Sequence, residues 1–143
     1  MKNICKILLL TALATIGNIV WGAEDTPEAV AETFFEELLN GDVHKAMDLV
    51  YIPPELAEKE SSKEKANYKV TDLARQAKRA AEIEGGIEKV SVQEGIYKNR
   101  DNKNLAFVDL LIKSPKYPEG RTLEIPLIKT ENGWRVDFSL ASL

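Results

Sequence analysis

The chain is poor in the residues that carry most protein chemistry. Its 143 residues include one cysteine, Cys5, and one histidine, His44. A lone cysteine cannot close an intrachain disulfide, and a structural zinc site draws its four ligands from Cys and His. Any transition-metal site would rest on carboxylates, and none of these falls at the spacing of a calcium-binding loop. There is no Gly-x-Ser-x-Gly elbow and no Ser/His/Asp set. The glycines form no phosphate-cradling loop, and Gly85-Gly86 reads as a helix stop. No metal and no cofactor is expected. Long apolar runs are missing as well. Ile7–Ile16 is the longest and holds ten residues, where a spanning helix needs roughly 20.

That short run has a meaning of its own. Lys2 and Lys6 precede it, Gly17-Asn18 breaks it, and Val20-Trp21-Gly22 follows with small or neutral residues where a signal peptidase reads. The pattern is a secretory signal peptide. The expected organisation is a cleaved segment over residues 1–22 and a single domain over 23–143. The protein is then exported, to the periplasm or beyond. A lipoprotein would carry a cysteine just after the apolar run, and Cys5 lies before it, so no stable membrane anchor is expected. Cleavage also removes Cys5, which excludes thiolate catalysis.

Charge is unevenly spread. The whole chain carries 19 Lys and Arg against 23 Asp and Glu. Residues 24–64 hold twelve acids against three bases, and residues 65–143 hold fourteen bases against eleven acids. Such a molecule is dipolar and net acidic, which speaks against nucleic acid as a partner.

The pattern of apolar residues switches midway. Thr26-Pro27-Glu28 opens a helix, with Thr to cap, Pro at the first position and Glu at the positive end. Val30, Phe34 and Leu38 form its stripe, widened by Phe35 and Leu39, and Asn40-Gly41 stops it. Asp42 can cap a second helix over 43–50, with Ala46, Leu49 and Val50 inward and Pro53-Pro54 as its end. Residues 55–67 are charged and nearly free of large apolar groups, a surface segment. Residues 68–84 are helical again, on a narrow face of Val70, Leu73, Ala74, Ala77 and Ala81. Period-two alternation then takes over. Residues 87–98 carry Val90, Val92 and Ile96, with Gly95 as a bulge or bend. Residues 105–113 are apolar on both faces except at Asp109. Leu123, Ile125 and Leu127 alternate in the next strand, where Pro126 points to an edge or a bulge. Trp134, Val136, Phe138 and Leu140 alternate in the last, after the Asn132-Gly133 hairpin turn. Helices first and strands after argue an α+β fold, with N-terminal helices packed on one face of an antiparallel sheet of about four strands.

Two segments carry a resemblance. TPEAVAETFFEELLNGDVHKAMDL is similar to the first two helices of small exported bacterial domains in the nuclear transport factor two-like superfamily. GWRVDF resembles their last strand. The members most alike are domains of unknown function. The resemblance implies a curved antiparallel sheet wrapped around helices, with a cavity between them. It implies no activity, since some members are isomerases or dehydratases and many are not enzymes.

Acid/base chemistry in such a cavity would need a buried carboxylate or histidine. The candidates are Asp109, which interrupts an apolar strand face, and His44, in the first turn of the short second helix. Asp137 alternates outward and reads as solvated. Residues expected to line a ligand pocket are Phe34, Leu38, Tyr51, Tyr68, Leu73 and Trp134. Neither acid/base candidate has a visible partner to orient it. The favoured reading is therefore an exported, non-catalytic domain that binds a protein partner or a small apolar ligand, and a homodimer through the sheet is one form this could take. The alternatives are a cavity acid/base enzyme and an immunity or inhibitor protein against an exported toxin.

Overall fold

The structure, a computed structural model, describes residues 26–140. The signal segment and its cleavage site lie outside the described residues. Helix α1 (Pro27–Asn40) begins where the side-chain oxygen of Thr26 accepts the Ala29 N–H at 3.2 Å. It ends at Gly41, whose φ of 74° is the left-handed conformation a helix stop requires. Its buried face is Pro27, Val30, Ala31, Phe34, Phe35 and Leu38.

Helix α2 (Val43–Met47) is capped by the Asp42 carboxylate on the Lys45 N–H. It stops three residues short of the expected end. The backbone of Leu49 to Tyr51 instead runs beside the last strand: the Val136 N–H donates to the Leu49 carbonyl at 2.7 Å and the Tyr51 N–H to the Val136 carbonyl at 2.8 Å. Helix α3 (Pro54–Ala57) is a single turn, and α4 (Glu60–Ile83) runs 24 residues. The charged surface segment is therefore largely helical. Its Glu, Lys and Ala are good helix formers, and the first two turns of α4 project into solvent until Val70 and Ala74 meet the core.

The sheet is antiparallel: β1 (Lys89–Val92) and β2 (Ile96–Arg100) both pair with β3 (Lys103–Lys113), then come β4 (Arg121–Thr130) and β5 (Gly133–Val136). β1 and β2 are one strand interrupted by a bulge. Val92 pairs with Leu110 and Ile96 with Phe107, so three residues oppose two. The extra residue inverts the phase: Val90 and Val92 face the helices, and then Tyr97 does, while Ile96 turns outward and is 59% exposed. Gly95 sits in the bulge because a side chain there would meet Glu28 Oε1 and Val108 Cγ2, each at 3.2 Å from an added Cβ. Asp101 and Asn102, with φ of 53° and 60°, form the two-residue turn from β2 to β3.

Pro126 is not at a bulge but at a local edge: it pairs with Phe107 of β3 on one side, while on the other the pairing with β5 begins only at Leu127. The Pro126 carbonyl accepts the Asp137 N–H at 3.0 Å, just beyond the end of β5. In an extended strand the N–H points to the same side as the carbonyl. The donor that proline lacks would thus have faced the place where the neighbouring strand has stopped. The last strand is also shorter than its alternation suggests. Phe138–Leu140 is a 3₁₀ turn, and the Phe138 ring packs 5.9 Å from that of Phe34.

The helices fill the concave side of this sheet. Ala106, Val108, Leu110, Ile112, Leu127 and Val136 of the sheet are fully buried together with Phe34 and Val70 of the helices. The sheet is strongly curled. Across three strand spacings β2 and β5 would lie about 14 Å apart if flat, yet the rings of Tyr97 and Trp134 meet edge to face at 6.0 Å. An ion pair between half-buried Arg121 and buried Glu84, at 2.5 Å, ties the start of β4 to the end of α4.

Candidate functional site

The residues expected to carry chemistry are dispersed. His44 is exposed on α2. Asp109 is half-buried on the outer face of the sheet, directly opposite Glu124. Two like charges in a cross-strand pair repel, and neither carboxylate has an ion-pair or hydrogen-bond partner among the described residues. Asp137 is buried rather than solvated, and its carboxylate accepts the Ser139 N–H at 3.0 Å and hydroxyl at 2.6 Å. The chain turns there, so the alternation that placed Asp137 outward no longer applies. Among the described residues no group of three or more His, Cys, Asp or Glu could hold a metal ion.

The six expected pocket residues do not share one described hollow. Phe34, Leu38 and Trp134 are core, and Leu73 packs against them. Tyr51 lines a hollow at the β4–β5 edge, and Tyr68 is 74% exposed on α4.

At the mouth of the half-barrel a different cluster forms. Glu28, in the first turn of α1, accepts the Tyr97 hydroxyl at 3.0 Å and the Gly95 N–H at 3.1 Å through the same oxygen. Loss of hydration, the hydrogen bond to Glu28 and the negative charges of Glu28 and Glu94 together raise the Tyr97 phenol above its ordinary value of 10.0. A phenol held protonated is a poor general base at neutral pH. The cluster acts as a clasp between α1 and the sheet edge. Trp134 closes the other side, with Lys129 Nζ 5.8 Å from its ring centre.

The outer face of the sheet is where apolar surface and unpaired charge coincide. Cross-strand partners point to the same side, so register alone places the side chains. One row runs Lys98, Leu105, Ile128, Arg135, and the next runs Ile96, Phe107, Pro126. Leu105, Pro126 and Ile128 are buried, whereas Ile96 is exposed. A hollow of about 610 Å³ lies over this surface, lined by Ile96, Lys98, Asn99, Arg100, Leu105, Phe107, Glu124 and Leu140. A second, of about 550 Å³, adjoins the β4–β5 turn and includes Lys103, Ile128 and Arg135. Lys98 Nζ stands 5.2 Å over the Phe107 ring. Among the described residues Lys98, Arg100, Lys103 and Arg135 form no ion pair; Arg135 donates to the Trp134 carbonyl at 2.7 Å. The arrangement can take an anionic group beside an apolar one. The face went unread in the sequence because one inserted residue decides it. Gly95 was the available signal, and the inversion of Ile96 and Tyr97 was its consequence.

Comparison with known proteins agrees with this architecture. Residues 20–137 match DUF4878, a domain of unknown function, and the chain belongs to that family. Its fold is NTF2-like. A Campylobacter jejuni protein described as an NTF2-like transpeptidase, solved as a crystal at 2.00 Å resolution, superposes with a TM-score of 0.62. The match covers 78% of this chain and 97% of that one at 21% identity, a likeness of fold alone. No curated protein matches the sequence. No helix among the described residues is long and apolar enough to cross a membrane.

Proposed function

We propose that this chain is an exported, non-catalytic binding domain whose contact surface is the outer face of its sheet. The observation that carries this reading is the hollow of about 610 Å³ there, with Leu105 and Phe107 at its floor and, at its rim, Lys98 and Arg100, which form no ion pair among the described residues. An apolar floor with a few convergent polar groups is the usual composition of a ligand surface. Export rests on the Lys2, Lys6 and Ile7–Ile16 pattern.

Two experiments test it. Amide chemical shifts are followed during titration with decanoate and, separately, with an acidic peptide. Saturable shifts at Lys98, Leu105, Phe107 and Ile128 with either probe are expected. Shifts confined to the helical side, or none with either probe, overturn the assignment. Mass spectrometry of the protein from a periplasmic fraction should give a chain that begins at or near Ala23. A species that retains Met1 overturns the export reading.

A further inference from the structure

We infer that the partner of this face is an acidic, extended protein segment that adds to the sheet as a strand beside β2. The inference rests on the binding-domain reading and names the partner class. Among the described residues the sheet has a free edge along β2 and along the first half of β4, before its pairing with β5 begins at Leu127, and there Glu124 would repel an acidic strand. Along β5, the N–H and carbonyl of Val136 are both taken by the 49–51 segment. Along β2, all five residues are exposed.

The hairpin fixes which groups this edge presents. Arg100 and Lys103 close a two-residue turn with positive φ at both positions, so they hydrogen-bond to each other. Pairing alternates from there. Arg100, Lys98 and Ile96 turn their backbone groups to β3, while Tyr97 and Asn99 point N–H and carbonyl outward. The neighbouring edge position shows what such an N–H donates to: the Gly95 N–H is bonded to a carboxylate oxygen of Glu28 at 3.1 Å.

Side-chain charge then selects the partner. A strand laid beside β2 places its residues opposite Lys98, Arg100 and Ile96 on the outer face. Acidic side chains meet the two cations, and an apolar one covers Ile96, which is 59% exposed. A second copy of β2 is a poor occupant, because it brings its own Lys98 and Arg100 to the same edge. Edge cations alone are also a guard against aggregation. That role predicts no saturable binding.

The probe is a blocked peptide, fluorescein-Gly-Gly-Thr-Glu-Thr-Glu-Thr-Val-amide, with the dye on its N-terminal amine, read by anisotropy against the purified protein. Saturable binding is expected. K98E/R100E should weaken it about tenfold or more, since each cross-strand pair turns from attraction to repulsion. The same variant should bind a peptide with Lys in place of Glu. Strand addition has its own signature. N-methylation of one alternate set of peptide amides should weaken binding about tenfold, and methylation of the other set should leave it unchanged, because only one set faces the edge. This comparison needs no protein variant. Equal effects of the two sets overturn strand addition. If decanoate shifts the face and the peptide does not bind, this inference fails and the binding reading stands. If neither binds, both fail.

Discussion

Removal of Arg121 is expected to be among the most damaging single changes at the surface of this protein. The Glu84 side chain is 7% exposed, and Arg121 Nε donates to its Oε1 at 2.5 Å. The second oxygen, Oε2, is buried without a hydrogen-bond partner among the described residues. The carboxylate therefore relies on one guanidinium. The Glu84 carbonyl also accepts the Lys116 N–H at 3.2 Å, so the pair fixes the end of α4 against the β3–β4 connection. Breaking a buried pair by deleting one partner costs about 3–5 kcal/mol. Arg121 is itself 30% exposed, and water can enter where it is truncated, so the loss should lie near 3 kcal/mol. That is a large share of the ~5–15 kcal/mol that holds a domain of this size. Urea unfolding followed by far-UV circular dichroism should show Arg121→Ala with a lower midpoint and an unchanged slope. Replacement of both residues by Met should restore most of the stability, to within about 1 kcal/mol of the parent. The cycle of Glu84→Met, Arg121→Met and the double variant should then give a coupling well above about 0.5 kcal/mol. Additive losses, or a loss below about 1 kcal/mol for Arg121→Ala, would show that the pair is solvated and that the helix end is held by other contacts.

Other expectations follow from burial, exposure and charge. Trp134→Ala should destabilise by about 3–5 kcal/mol, because the indole is 5% exposed and packs on Tyr97, while exposed His44→Ala should stay within about 0.5 kcal/mol; equal losses in denaturant melts would mean the concave face is misassigned. Amides of residues 55–67 should exchange fastest in the described domain and those of β3 slowest, since the former segment buries few apolar groups; slow exchange across 55–67 would reveal a packed or bound surface. Tyr97 should ionise above pH 10, so the stability tied to its protonated form is complete below the unfolded value near 10 and lost as pH rises through the folded one. Ultraviolet titration of Glu28→Gln should move that transition down, and an unchanged curve would refute the Glu28 contribution. Asp109→Asn combined with His44→Ala should leave peptide or decanoate binding unchanged; its loss in a folded double variant would implicate one of these side chains directly.

Local signals were strong where one residue type imposes one conformation. Thr26, Pro27 and Gly41 bounded α1 to within a residue, because capping, a fixed φ and a left-handed stop act through the backbone itself. The switch from helical to alternating periodicity at Gly85-Gly86 set the order of elements, and with it the α+β class. The start of α4 was less legible. Its first two turns bury almost nothing, so an apolar stripe could not mark them, and only the helix preference of Glu, Lys and Ala remained.

The candidate site was beyond local reading because it depends on register and curl. A one-residue bulge at Gly95 inverts the faces of Ile96 and Tyr97. Pairing with β3 and β4 gathers Lys98, Leu105, Ile128 and Arg135 into one row from positions far apart in the chain. The turn after Val136 buries Asp137, although simple alternation points it outward. The amino-acid sequence by itself determined the elements, their order and the side of each helix that is apolar, since these follow from backbone preferences and from periods of 3.6 and 2. Tertiary structure alone decided which edge of the sheet stays open, which carboxylates stand opposed and which cations lack a partner, because those are properties of strands brought together from distant parts of the chain.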